Sequence, residues 1–472
     1  MNLLKIAWRN LWRNKRRTAI TSASILFAVF FAIVMRAFQL GTYNHMIKNA
    51  VGAYSGFIQI QHTGYQDDPS LENSFECSAN LIDIIEKTPG VKAVVPRVET
   101  FALASSGSLT KGTLIIGIDP DKERQLSNPE NLIVRYRITK DGINKLKTHP
   151  MVTGEVIQNL SGMINNSYTN SGTIAMDLDL DKAKQQSLIE TIAAVFTFPG
   201  QYLKHDDPGV LVSDRLSKYL QLSVGDTLVL MGQGYHGSTS AGLFTVRGIV
   251  KFANPELDNK LIYMSLPVAQ DFSSLEKNVT TIAINLHDNS DEGMKTMQAT
   301  LAQKLPDQNT VVKNWKEFNK ILIQQIESDN QSGKIFLALL YFIIFFGIFG
   351  TVLMMIYERY HEFGVVVAIG MKKTKLAMIM VIEMFFMGLI GVWSGTILSM
   401  PVLYYYHFYP YQLKGDLAQV MEDMGWEAVM PVAWIDSYIF WQGLVVVLMV
   451  VLSCIYPLRK VLKLKEAEAL RA

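Results

Sequence analysis

The residues of this chain that could carry out chemistry do not assemble into a catalytic motif. The segment Gly364–Thr374 comes nearest to a phosphate-binding loop, but it lacks the Gly-x4-Gly-Lys-Ser/Thr order that holds nucleotide phosphates. His361-Glu362 is followed by Phe-Gly-Val, so it is not a zinc-protease helix. His205-Asp206-Asp207 could ligate a metal ion or form a solvated turn before Pro208. We therefore predict no catalytic, cofactor-binding or metal site in this chain, which is expected not to be an enzyme.

Two ionisable residues stand inside apolar runs of the sequence. Arg36 lies near the end of the first run, and Glu383 lies about two turns into the third. An ionised group at such depth costs a few kcal/mol, so it normally faces protein or water and has a partner. Arg36 could reach the lipid headgroups or lie at a substrate entrance, and Glu383 is expected to be hydrogen-bonded inside a helix bundle. The two should not pair, because they lie near opposite leaflets.

Four apolar runs must position these residues. Of the 472 residues, 49% are hydrophobic and only 18% are charged, against roughly a quarter in soluble proteins. Each run supplies about 20 apolar residues, enough to cross roughly 30 Å of hydrocarbon as a helix. Three glycines, Gly388, Gly391 and Gly395, lie on one side of the third run, which favours close helix packing. We predict an α-helical bundle of transmembrane helices at 19–41, 334–357, 376–406 and 438–457.

The charges that flank the predicted helices indicate their orientation. Lysine and arginine, without acidic residues, precede the first helix, and more follow the second and fourth, whereas residues 407–437 are mainly acidic. By the positive-inside rule, residues 1–18, 358–375 and 458–472 are predicted to be cytoplasmic, and 42–333 and 407–437 to be outside. The net charge of +2 gives no indication of nucleic-acid binding.

Residues 1–18 carry the pattern of an amphipathic helix at the membrane surface. Leu4, Trp8, Leu11 and Trp12 recur at helical spacing beside a basic stripe that includes Arg13. The basic stripe needs no partner beyond anionic membrane lipids. A plain positively charged flank with no further role remains the alternative.

Residues 42–333 alternate strand-like and helix-like stretches, which predicts a large α+β domain of two subdomains. One part, at about 42–120 and 279–333, would enclose an inserted strand-rich part at about 121–278. Within the second part, Asn159–Asp179 is rich in serine, asparagine and glycine, which predicts a long loop.

The link Glu358–Lys375, with the sequence ERYHEFGVVVAIGMKKTK, joins the second and third predicted helices. It is too apolar for a solvated loop, so we predict a short helix with an apolar face, framed by Gly364 and Gly370. Such a helix could dock on another protein or lie on the inner leaflet, and composition alone does not separate the two.

The link resembles the signature of the FtsX-like/MacB-like ABC transporter permeases in Glu358-Arg-Tyr-His-Glu-Phe-Gly364, in Ala368-Ile-Gly-Met371 and in the placing of Glu383. The stretches Ala7–Thr18 and Glu468–Arg471 also resemble the ends of that family. The resemblance implies a coupling helix seated in a separate cytoplasmic ATPase dimer, which would bind the ATP and magnesium. The residues implied in docking are Glu358, Arg359, Glu362, Phe363, Gly364, Ala368, Ile369, Gly370 and Met371.

The same resemblance implies a pair of permeases, either two copies or two related chains, in a bacterial inner membrane. Their membrane helices would continue outward as stalks and transmit the closure of the ATPase mechanically to the porter-like outer parts.

Within this family, Asn49–Gln61 and Val212–Leu216 resemble the lipoprotein-releasing permeases of the LolC/LolE type. Those extract lipoproteins from the outer leaflet and hand them to a periplasmic carrier. This implies an acyl-chain cavity between the first two helices, beside Arg36 and Phe38. The alternatives are a MacB-type tripartite efflux permease and an FtsX-type permease that controls a cell-wall hydrolase. The stretch of residues 121–207 is longer than we would expect from this resemblance.

Overall fold

The computed structural model describes residues 3–13, 15–180, 185–305, 309–413, 415–423 and 428–463. The chain divides into two compact units. The helical unit comprises Met1–His45, Ile321–Leu413 and Val429–Ala472, and the sheet unit comprises Met46–Lys320 and Lys414–Ala428. The family-like stretch Glu468–Arg471 lies outside the described residues.

The helices of the described residues, in chain order, are α1 (Leu3–Arg13), α2 (Lys15–Ile47), α3 (Ala79–Glu86), α4 (Pro120–Leu126), α5 (Lys140–Leu146), α6 (Gly154–Gly162), α7 (Ser171–Asp177), α8 (Gln186–Val195), α9 (Asp214–Tyr219), α10 (Pro255–Asp258), α11 (Leu266–Ser273), α12 (Asp291–Lys304), α13 (Trp315–Phe318), α14 (Lys320–Glu358), α15 (Tyr360–Ala368), α16 (Lys373–Phe408), α17 (Asp416–Asp423), α18 (Tyr438–Ser453) and α19 (Ile455–Leu462). A π-helical segment, Lys48–Ser55, follows α2 directly.

The strands are β1 (Ile58–His62), β2 (Phe75–Glu76), β3 (Val91–Ser106), β4 (Leu109–Ile118), β5 (Tyr136–Arg137), β6 (Ser167–Tyr168), β7 (Val210–Ser213), β8 (Thr227–Gln233), β9 (Thr239–Val250), β10 (Leu261–Ser265), β11 (Asn278–Val279), β12 (Thr281–Leu286), β13 (Thr310–Asn314), β14 (Tyr411–Gln412) and β15 (Val429–Met430).

Four helical stretches of the described residues are long and apolar enough to cross a membrane: Thr18–Gly52, Lys320–Glu358, Lys373–Phe408 and Tyr438–Leu462. They confirm the predicted class, a bundle of four such helices with a large domain between the first and second. The helices begin or end outside the predicted spans, and residues 15–18 already belong to α2. With 39 residues, α14 is about 58 Å long, roughly twice the hydrocarbon thickness.

The third helix, α16, lies at the centre of the helical unit. Half of its apolar window is buried, whereas only 17% of the corresponding window of α14 is buried. On α16, Gly391 and Gly395 pack against α2: a Cβ at Gly391 would stand 2.5 Å from Ile25 Cγ2. Gly388 faces Val450 of α18 instead, at 3.4 Å. Two of the three glycines therefore permit a close approach that a larger residue would block.

The sheet unit is built around a closed ring of six strands. In the order β3, β4, β10, β7, β9, β8, each strand pairs with the next, and β8 pairs back with β3 through Ala102↔Gly232 to Ser105↔Val229. Alternating residues point into the ring, so that Ala102, Leu228, Leu230 and Val246 share one buried core. Closure of this kind leaves no free edge on the paired strands.

An open extension of the same sheet grows from β3. The first half of β3 pairs with β12, which pairs with β1, which pairs in turn with β13. Strands from both predicted parts of this domain therefore share one sheet, because β10 from the inserted part pairs in parallel with β4.

The prediction of a long loop at Asn159–Asp179 is wrong. This stretch contains the end of α6, the strand β6 and α7. Its serine, asparagine and glycine content misled the prediction, because such residues also cap helices: Asn170 Oδ1 accepts a hydrogen bond from the Thr173 N–H at the start of α7. The few apolar residues, such as Leu160 and Ile174, are buried in a separate small core with α5 and α8.

Candidate functional site

The link between α14 and α16 contains the short helix α15. Arg359 leaves helical geometry after α14, and α15 ends where the Gly370 backbone takes a φ of +108°, a left-handed conformation that favours glycine. The Gly370 N–H donates to the Val367 carbonyl, which closes the last turn. The prediction that Gly364 frames this helix is wrong, because Gly364 lies buried inside α15.

The residues implied in docking fall on two faces of the link. Arg359, Phe363 and Gly364 are buried against the helical unit. The exposed residues are Glu358, Glu362, Ala368, Ile369 and Gly370, and Met371 is half-buried. Ile369 is 82% exposed although it is a large apolar residue. Only the second group is therefore available to a partner in this conformation.

Five polar side chains join the link to α1 and α16, and we name them the interhelix network: Asn10, Arg13, Arg359, Glu362 and Glu383. Asn10 Nδ2 donates to Glu383 Oε1 at 2.6 Å, and Arg359 Nη1 donates to Glu383 Oε2 at 3.0 Å. Glu362 Oε2 accepts from Arg359 Nε at 3.1 Å and from Arg13 Nη2 at 2.8 Å. The two carboxylates therefore connect three helices.

The interhelix network has a buried half and an exposed half. Arg359 is 8% exposed and Glu383 1% exposed, so their charge-assisted bond is little screened by water. The Arg359 guanidinium also lies 5.1 Å from the centre of the Phe363 ring. By contrast, more than half of the Arg13 and Glu362 side chains is exposed, and such pairs contribute little to stability.

Glu362 remains charged in the folded protein. Partial burial alone would raise the pKa of its carboxyl, but the hydrogen bond and charge of Arg359, and then those of Arg13, lower that pKa below its ordinary value of 4.5. A groove of about 430 Å³ lies beside these residues, lined among others by Ile6, Val366 and Met380.

The N-terminal helix α1 contacts α16 through one face. Ala7 and Leu11 are buried, whereas Leu4, Trp8 and Trp12 are exposed. Trp8 packs edge-on against Phe386 of α16, with ring centres 5.5 Å apart. This arrangement leaves two tryptophans on the exposed side of an amphipathic helix, as in helices that lie at a membrane surface.

Arg36 is placed far from Glu383, as the sequence predicts. On α2 it lies roughly 30 Å beyond Lys15 at 1.5 Å per residue. Its Nη1 atom donates to Gln39 Oε1 at 2.5 Å and to Asn330 Oδ1 of α14 at 2.9 Å. Tyr43 of α2 donates to Asp329 at 2.6 Å. Polar side chains thus join the C-terminal part of α2 to the N-terminal part of α14.

Phe38 contacts a different helix from Arg36. Its ring centre lies 5.8 Å from that of Tyr406 on α16. The two residues that the resemblance placed beside one cavity therefore face two different neighbours of α2.

The possible metal ligand His205 has two acidic neighbours at a distance. Its Nδ1 lies 3.9 Å from Asp119 Oδ2, and its Nε2 lies 3.9 Å from Asp206 Oδ1. Among the described residues, no group of three or more histidine, cysteine, aspartate or glutamate side chains could hold a metal ion.

Sequence reasoning missed Asn10 as a partner of Glu383. The available signal was its place on α1: Asn10 and Arg13 are three residues apart and so share one face of the helix. Which helix that face would meet, however, depends on tertiary packing.

The part of the helical unit that contains the link is similar to a known family. Residues 334–465 match the family model described as FtsX-like permease C-terminal. This region contains the link and Glu383, so the match confirms the predicted resemblance to the FtsX-like permeases of ABC transporters.

More specifically, the chain is similar to the lipoprotein-releasing system transmembrane protein LolC of Neisseria meningitidis serogroup B. The identity is 21% over 391 residues, which cover 80% of this chain and 75% of that protein.

Two solved structures show weaker likeness. The extracellular domain of the noncanonic ABC-type transporter YknZ from Gram-positive bacteria has 11% identity and a TM-score of 0.28, with 55% of this chain and 100% of that chain covered. The periplasmic region of MacB from Actinobacillus actinomycetemcomitans has 12% identity and a TM-score of 0.32, with 60% and 97% covered.

Proposed function

We propose that this chain is the permease subunit of a mechanotransmitting ABC transporter that extracts lipoproteins from the outer leaflet of a bacterial inner membrane. A separate cytoplasmic ATPase dimer would hydrolyse ATP, and a second permease, identical or related, would complete the complex. The released lipoprotein would pass to a periplasmic carrier for transfer toward the outer membrane.

The observation that carries the ATPase partner is the exposed tip of the link. Because Phe363 and Val367 are buried and Val365 and Val366 are half-buried, only part of the apolar surface of α15 is left to lie on lipid. What remains apolar and exposed is Ile369, flanked by Ala368 and Gly370. A single large apolar side chain between small neighbours suits insertion into a pocket of a protein partner.

The lipoprotein substrate is supported by the similarity to LolC, which extends over 80% of the chain and so includes both units. The apolar surface of α14 agrees with it: Phe336, Leu339 and Ile343 are exposed within one chain. This surface would contact acyl chains or the second permease.

The function can be tested by reconstitution. The permease, its ATPase and a fluorescently labelled lipoprotein would be placed in proteoliposomes, with a soluble carrier outside. We expect labelled lipoprotein to appear on the carrier only when ATP is hydrolysed. ATP hydrolysis with no lipoprotein released would overturn the proposal, and activation of an added cell-wall hydrolase in the same membranes would favour a signalling permease instead.

A further inference from the structure

The interhelix network connects the N-terminal helix α1 to the link, the element on which an ATPase would act. Covalently, the link is joined only to α14 and α16. The two carboxylate oxygens of Glu383 have different donors. One accepts a hydrogen bond from Asn10 of α1, and the other accepts from Arg359 of the link. Glu362 likewise accepts from both Arg359 and Arg13. The carboxylates of Glu362 and Glu383 thus connect α1 to a link that is far from it in the sequence.

We infer that the interhelix network makes α1 move together with the link, so that ATPase closure reaches the first membrane helix directly through α1. Since α1 ends at Arg13 and α2 begins at Lys15, a displacement of α1 is passed on to α2. The inference rests on the proposed function, in which an ATPase displaces the link. Arg359, Glu362, Glu383, Asn10 and Arg13 are thereby positioning residues of the transport cycle.

The buried and exposed halves of the interhelix network connect different elements. The Arg359–Glu383 bond is buried and joins the link to α16, so it should persist throughout the cycle. Asn10 and the exposed Arg13 supply the bonds to α1. Removing the Asn10 and Arg13 side chains therefore breaks the hydrogen bonds between α1 and the rest of the interhelix network and leaves the buried ion pair intact.

The first experiment measures coupling in the full complex. The double variant Asn10→Ala/Arg13→Ala would be assayed for lipoprotein released per ATP hydrolysed. We expect the ATPase to stay bound and active, and the release per ATP to fall by about fivefold or more. The matched control is Lys5→Ala/Arg9→Ala, which removes two other polar residues of α1 and should leave the ratio unchanged. An unchanged ratio in the first variant would overturn the inference.

A charge exchange separates this role from simple stabilisation. Arg13→Glu alone places two carboxylates together and should lower the ratio. Adding Glu362→Arg restores an attractive pair at this exposed position but also removes the bond between Glu362 and Arg359, so it should recover the ratio in part. If the double exchange behaved like Arg13→Glu alone, the pair would not be the transmitting contact.

A distance measurement tests the inference without reference to the substrate. Spin labels at Trp12→Cys and Glu358→Cys, with Cys77 and Cys454 changed to alanine, report the separation of α1 and the link. On binding of a non-hydrolysable ATP analogue, the separation should stay constant in the parent protein and change in Asn10→Ala/Arg13→Ala. A separation that changes in the parent would overturn the inference. Failure of lipoprotein release in the parent would overturn only the proposed function.

Discussion

Arg97 and Glu123 form a two-point ion pair in which both side chains are completely buried. Arg97 Nε lies 3.0 Å from Glu123 Oε2, and Nη2 lies 2.5 Å from Oε1. The remaining Arg97 nitrogen donates to the carbonyl of Tyr54, in the π-helical segment that follows α2. Arg97 on β3 therefore joins α4 and the π-helical segment within the sheet unit.

We expect Arg97→Met to destabilise the sheet unit by about 3–5 kcal/mol, because it leaves the Glu123 carboxylate buried without its cation. Hydrogen exchange of β3 and β4 in the full-length protein would measure the loss. The double variant Arg97→Met/Glu123→Leu should recover much of it. Lys122→Met is the matched control, since its pair with Glu86 is partly exposed and contributes about 0–1 kcal/mol. Equal effects of Arg97→Met and Lys122→Met would contradict the prediction.

Alanine at two glycines of α16 should have opposite outcomes. A Cβ at Gly395 would stand 2.6 Å from the carbonyl oxygen of Leu26, so Gly395→Ala must push α2 away and lower the melting temperature of the purified permease. A Cβ at Gly388 would meet Val450 at 3.4 Å, an ordinary contact, so Gly388→Ala should be tolerated. If both variants melted at the same temperature, the close packing of α2 on α16 would be wrong.

Replacing the exposed isoleucine of the link should release the ATPase. Ile369→Asp puts a charge where we propose an apolar pocket of the partner, and such anchors lose about 2 kcal/mol or more on truncation. We expect the ATPase to be lost in co-purification while the permease stays folded. Leu243→Asp, at an exposed leucine of β9, is the control and should retain the ATPase. Retention by both variants would exclude Ile369 as the docking residue.

Stability of the sheet unit should depend on pH through Asp258. Burial raises the pKa of this carboxyl from 3.8 to about 6, although backbone N–H groups, first that of Phe252, act in the opposite direction. A raised acid pKa means that the folded state binds the proton more tightly. The contribution of Asp258 to the free energy of unfolding is thus fully present below pH 3.8 and is lost as the pH rises through about 6. The total loss is about 3 kcal/mol.

Asp258→Asn should flatten this dependence between pH 4 and pH 6, as followed by hydrogen exchange at β7 and α9. The control Asp226→Asn changes an exposed carboxylate that accepts the Ser223 N–H and should leave the slope unaltered. A slope that persists in Asp258→Asn would assign the dependence to another group.

The membrane helices could be predicted from sequence because a helix that crosses lipid must be long and apolar, and runs such as Ile335–Tyr357 have that property on their own. The internal hydrogen-bonded position of Glu383 could be predicted for a similar reason, since an isolated carboxylate at that depth is costly. Its partners could not, because Asn10 is 373 residues away in sequence and meets it only through the packing of α1 on α16.

The ring of six strands was also beyond prediction. Each strand could be recognised from its β-branched residues, but closure depends on β8 pairing with β3, two strands separated by more than 120 residues. The error at Asn159–Asp179 has a local cause. Asn170 caps α7 there, and a composition rich in such residues is shared by loops and by short, capped helices.

The 16 residues of β3 serve both the ring and the open sheet, because Val91–Arg97 pair with β12 and Ala102–Ser105 pair with β8. From Arg97 to Ser106, β3 is also paired without interruption with β4, so it cannot bend sharply between the two regions without losing several bonds at once. We therefore expect the ring and the open sheet to rotate as a single rigid body, without a pivot between them. Any displacement delivered to the edge strand β13 would then reach the far wall of the ring undiminished.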